Sequence, residues 1–64
     1  MTPEQILERA KQLEVQAIKE YNEMKKNADP LTSELLDYLI SQEREHLKMI
    51  EDRLKALKLL NNRQ

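Results

Sequence analysis

The sequence predicts an all-α protein: an antiparallel helical hairpin, two copies of which close into a four-helix bundle. Three observations carry this. Apolar residues recur at steps of three and four from Ile6 to Leu60, the spacing that lines one side of a helix. One strong break, Asn27-Ala28-Asp29-Pro30, divides the pattern in two, and so short a connection turns the second helix back along the first. The chain has 64 residues with no Cys, and chains below roughly 70–80 residues rarely hold a core without a staple, a metal or another copy.

The first helix is expected over about residues 3–27. Thr2 can cap it with its hydroxyl, and Pro3 suits the first helical position, where its missing N–H costs nothing. Its inward stripe reads Ile6, Ala10, Leu13, Ala17, Tyr21, Met24 and Ala28, and Glu14 falls inside that stripe. The turn is expected at 28–30. Pro30 disfavours helical geometry in Asp29 and can itself begin the next helix with Asp29 as its cap, Thr32 or Ser33 being the alternatives one turn later.

The second helix is expected over about residues 30–60. Leu35, Leu39, Glu43, His46, Ile50, Leu54 and Leu57 form its main stripe, with Leu36, Ile40 and Leu47 as a flank. Lys55 and Lys58 suit the negative pole of the helix dipole, and Glu51 with Lys55 makes a favourable four-residue pair. Met24 and Met49 read as gap-filling core, Tyr38 as packing at the edge of the stripe, and Asn61 to Gln64 as a fraying tail.

Composition excludes several classes of function. The net charge is −1 and basic residues alternate with acidic ones, so no electrostatic footprint for nucleic acid or an anionic membrane is present. With 36% charged residues the chain is too polar to be a membrane span and forms one small domain. Its opening residues lack the basic and continuous apolar regions of a signal peptide, so a cytoplasmic setting is expected.

The chemistry lies in polar residues on apolar stripes. Folding the hairpin about residues 28 and 29 puts Glu14 opposite residue 43 or 44, level with the Glu43-x-x-His46 pair. Buried carboxylates need positive charge beside them. A symmetric dimer would gather two Glu14, two Glu43 and two His46 about a twofold axis. Its four carboxylates would repel and take up protons if left alone, whereas two divalent ions cancel their charge. Oxygen and imidazole donors suit iron or manganese, and zinc can also bind. Tyr21, leaning toward its own N-terminus, points back toward Glu14 and is expected to orient a ligand carboxylate by a hydrogen bond. Glu20 is a candidate on the access path, and Gln42 a weaker one for orienting the imidazole.

Glu14-x-x-Ala17-x-x-x-Tyr21, the Asp29-Pro30 turn and the run Gln42-Glu43-Arg44-Glu45-His46 resemble the ferritin-like superfamily, in its rubrerythrin-like and encapsulated-ferritin-like branches. The resemblance covers nearly the whole chain but half of a four-helix family domain, as in the branch where two-helix chains pair. It implies that Glu14, Glu43 and His46 are iron ligands, with Glu43 bridging two iron ions per dimer. It implies ferroxidase activity, the oxidation of ferrous iron by dioxygen or peroxide, with these three residues as the catalytic set. It also implies an encapsulating shell protein, and so a protein nanocompartment, as a further partner and setting. The chain lacks the Cys-rich segment of electron-transferring rubrerythrins. The Leu36, Ile40, Leu47 flank is the feature expected to support a ring larger than the dimer. The competing readings are a metal-free adaptor hairpin that dimerises, and a bundle with a purely structural zinc or calcium.

Overall fold

The computed structural model describes residues 1–61. Two helices pack against each other, α1 over Pro3–Lys25 and α2 over Pro30–Asn61; among the described residues there is no strand. Asn62, Arg63 and Gln64, part of the expected tail, lie outside the described residues, whereas Asn61 continues α2.

The helix ends follow from their capping residues. At the start of α1 the Gln5 backbone N–H donates to Thr2 Oγ1 at 3.1 Å, and the Thr2 N–H donates to Gln5 Oε1 at 2.9 Å. This reciprocal box satisfies two otherwise orphaned donors. At its other end the backbone N–H groups of Lys26, Asn27 and Ala28 donate to the carbonyls of Glu23, Met24 and Lys25, each at 3.2 Å. These tight three-residue steps end the helix without the left-handed glycine that commonly does so.

Of the possible caps for α2, Asp29 is the one used. Its carbonyl accepts from the Ser33 N–H at 2.8 Å, and its side chain is bonded by Thr32, which holds the carboxyl below its ordinary value of 3.8. A depressed pKa means that ionised Asp29 stabilises the fold above that value and the contribution is lost as pH falls through the lower, folded value. Wild type is therefore expected to exceed Asp29→Asn in thermal stability at pH 6. The difference should vanish in circular-dichroism melts once pH drops well below 3.8. An undiminished difference in acid would show that the charge is not what the cap uses.

The packing edge differs from the sequence expectation on both helices. Leu36, Ile40 and Leu54 are the buried residues, 7%, 4% and 4% exposed, so two members of the expected flank form the centre of the hairpin. Leu47, the third, is half-buried. On α1 the contacting edge holds Leu7, Ala10, Glu14, Ala17, Ile18 and Tyr21, all half-buried. Ile6, Leu13, Met24 and Leu35, expected inward, are more than half exposed, as are Tyr38 and Met49. The cause is geometric. Each apolar arc is wider than one neighbouring helix can cover, so the hairpin covers one edge and leaves the other. Because the Leu36, Ile40, Leu47 flank is used within the hairpin, it is not free to support a larger ring.

The cross-helix pairs fix the level of each residue. Lys11 Nζ lies 3.7 Å from Glu51, and Lys25 pairs with Asp37; Glu51 thus meets Lys11 rather than the expected Lys55. These partners sit farther along α2 than a strict fold about residues 28 and 29 gives. Side chains lean toward their own helix N-terminus, so those of α1 lean away from the turn and those of α2 toward it. That displaces each contact in the observed direction.

The hairpin measures 54 × 18 × 12 Å with a radius of gyration of 15.2 Å. A compact domain of this length would have a radius near 11 Å. One dimension equals a single helix diameter, so the fold is a slab one helix thick with a broad uncovered face.

Candidate metal centre

Glu14, at the middle of α1, meets Glu43 and His46 of α2. His46 Nδ1 is 3.6 Å from Glu14 Oε1 and 4.0 Å from Glu43 Oε2. One donor atom from each of the three residues lies within 4.8 Å of the others. The Glu-x-x-His spacing works because residues three apart on a helix project from neighbouring positions. Glu14 is brought to them only by the hairpin register.

The electrostatics of the cluster are those of an uncompensated site. The two glutamate side chains are each 21% exposed, while His46 is 51% exposed and faces out of the slab. Glu14 Oε2 is buried with no hydrogen-bond partner. The Glu14 carboxyl is pushed above its ordinary value, first by sharing a hydrogen bond with Glu43, then by burial and by the Glu43 charge; His46 opposes these effects more weakly. Two carboxylates this close favour either a shared proton or a cation between them.

A cation fits the donor set. Metal–ligand bonds of about 2.1 Å place ligand atoms no more than about 4.2 Å apart, and both His46 separations lie inside that limit. The orphaned Glu14 oxygen is a free ligand atom at the same place. Glu14, Glu43 and His46 are the residues that would hold such an ion. Tyr21 is half-buried two turns from Glu14, but its hydroxyl does not bond Glu14 Oε2, which has no partner. Gln42 is half-buried and Glu20 exposed; neither belongs to the converging group. The sequence reading named all three converging residues and did not anticipate the ion pairs Lys11–Glu51 and Lys25–Asp37, for which opposite charges at matching hairpin levels were the available signal.

A crevice of about 440 Å³ lies at the open end of the hairpin between Thr2, Pro3, Glu4, Leu57 and Asn61. It contains none of the converging donors, and the Asn61 amide donates to Glu4 across it. No helix among the described residues is long and apolar enough to cross a membrane.

The chain is 58% identical over 60 residues to an uncharacterized protein of Archaeoglobus fulgidus, covering 94% of this chain and 95% of that one. No solved structure matches it. The rubrerythrin family model matches residues 5–64, a span that contains every candidate ligand, all of α2 and all but the first two residues of α1. On that match the chain belongs to the rubrerythrin family, of the ferritin-like superfamily.

Proposed function

We propose that this protein is half of a di-iron carboxylate centre, completed by a second copy, and that it oxidises ferrous iron with dioxygen or peroxide. The observation that carries the reading is the convergence of Glu14 from one helix with Glu43 and His46 from the other, with one Glu14 oxygen buried and unpartnered. Three donors leave coordination positions unfilled on a metal that takes more. The cluster faces the uncovered side of a slab one helix thick, where a second hairpin would supply three more.

The residues divide the work by chemistry. Glu14 and Glu43 supply the negative charge that attracts and holds ferrous ions, and His46 contributes a neutral nitrogen donor that adds no charge. Half-buried Leu39, Leu47 and Ile50 flank the site and limit its access to water, which strengthens those electrostatic contacts. Bound iron supplies the one-electron redox chemistry that protein side chains lack. Tyr21 is proposed to turn toward a ligand carboxylate when the second copy closes the face.

Anaerobic titration with ferrous iron should saturate at about one ion per chain, and admitting air should then oxidise the iron well faster than buffer does. Saturation without accelerated oxidation identifies a structural metal and removes the enzymatic reading. No saturable binding removes the metal centre altogether.

A further inference from the structure

We propose that Met49 is a site of oxidation by peroxide, a thioether that gives up two electrons in place of the metal-ligating His46. This rests on the reading above that Glu14, Glu43 and His46 hold iron. It adds a side chain that takes the oxidant before the ligand does.

Met49 follows His46 by three residues on α2, so the two side chains are neighbours with Cβ atoms about 5–6 Å apart. A helical side chain leans toward the N-terminus of its own helix, which carries the Met49 sulfur back toward the imidazole. Two residues of the following turn flank His46. Ile50 is half-buried and lies toward α1, whereas Met49 lies on the open side, 69% exposed. At that exposure it closes no gap in the hairpin, so the adaptable packing that methionine gives a core does not account for a thioether there.

The chain has three methionines and no cysteine, so thioethers are its only reducing sulfur groups. Their exposures are 85% for Met1, 69% for Met49 and 54% for Met24. Oxidant arriving from solvent therefore meets Met1 first. Nearness to the cluster reverses that order. Met24 lies about 15 Å along α1 from Glu14 at 1.5 Å per residue, and Met1 lies beyond the start of that helix, farther still. A second copy over this face would narrow the route from solvent to Met49 and leave its separation from His46 unchanged.

The oxidant is hydrogen peroxide. A sulfur lone pair forms the S–O bond to one peroxide oxygen as the O–O bond breaks, and the other oxygen leaves as water with both hydrogens. Sulfur loses the two electrons that the peroxide gains. Iron at the cluster supplies Lewis-acid polarisation of the O–O bond, and proximity gives Met49 its advantage over the other two thioethers. The sulfoxide is returned to the thioether by sulfoxide reductases. Oxygen inserted into the His46 ring consumes the same peroxide, has no such repair, and costs the site a ligand.

Iron-loaded protein is treated with substoichiometric hydrogen peroxide and digested, and each methionine and His46 is weighed by mass spectrometry for one added oxygen. Met49 should carry at least about tenfold more than Met1 or Met24, while metal-free protein given the same dose should follow exposure, with Met1 leading. In Met49→Leu, which keeps an apolar side chain at an exposed position, the added oxygen should appear on His46. That variant should lose iron-binding capacity at doses that wild type survives. Met1 leading in the iron-loaded protein, an equal preference for Met49 with and without iron, or a Met49→Leu protein that keeps its iron-binding capacity as well as wild type overturns the proposal. Iron content is measured on the same samples. Bound iron with oxidation that follows exposure removes the role of Met49 alone, whereas a chain that binds no iron removes the metal centre and this role with it.

Discussion

Glu14→Gln should raise the melting temperature of the metal-free protein at neutral pH and, in the same molecule, abolish its ferrous-iron binding. The two effects have one cause. The Glu14 carboxyl is held above its ordinary value of 4.5 by Glu43 and by burial, so at neutral pH its ionised form opposes folding. A group with a raised carboxyl pKa favours the fold below its unfolded value, and that advantage is lost as pH rises through the folded value. Glutamine has nearly the same shape, no charge, and an N–H₂ that can donate to Glu43. It therefore relieves the repulsion, but its amide is a poor ligand where a carboxylate is needed. Iron binding should weaken by more than the roughly 10- to 100-fold typical of losing a group behind a ligand, and added ferrous iron should no longer raise the melting temperature. Wild type should show the opposite ordering, being less stable without metal and more stable with it. Paired melts with and without anaerobic ferrous iron give both readouts; a Glu14→Gln protein less stable than wild type without metal would mean that His46 outweighs Glu43 in the folded cluster.

Leu54→Ala should unfold the protein at or near ambient temperature. Leu54 is 4% exposed and is one of three buried residues among those described. A buried Leu→Ala change costs about 2–5 kcal/mol, while whole domains are stable by about 5–15 kcal/mol and a hairpin this short sits at the low end of that range. At about 4–8 °C per kcal/mol for a domain of this size, the melting temperature should fall by at least about 8 °C in circular-dichroism melts. Leu35→Ala makes the contrast, because Leu35 is exposed in the single hairpin. Its cost should depend on protein concentration, shrinking as dilution removes the second copy; a Leu35→Ala melt shifted equally at all concentrations would place that side chain inside the hairpin.

The site was more legible than the packing. Glu43 and His46 are three residues apart on one helix, so their proximity is a property of helical geometry alone. Glu14 required in addition the position of the turn, and Pro30 marks that position unambiguously because it cannot continue α1 and is well placed to open α2. The side that each helix turns to its neighbour was not legible in the same way. Periodicity defines the centre of an apolar arc and says little about which edge a neighbour takes when the arc is wide enough for two. On α2 both the Leu36–Ile40 edge and the Leu35–Met49 edge satisfy the same spacing, and only the first is covered in the hairpin. The pairing of Lys11 with Glu51 was likewise hidden, because the lean of helical side chains moves contacts away from the level of the backbone.

By itself the sequence determined two helices, the turn between them, and three metal-ligating side chain types at one level, because each follows from a local rule: period, capping chemistry, or chain length from the turn. Tertiary structure alone decided that Leu36, Ile40 and Leu54 close the hairpin, leaving Ile6, Leu13, Met24 and Leu35 uncovered on the opposite edge. Burial is a property of two surfaces meeting, and one helix does not specify which part of a wide apolar arc its neighbour will cover. The same decision leaves one oxygen of Glu14 enclosed without a partner and His46 half exposed, which turns a spacing in the sequence into a cluster of three donors drawn from both helices.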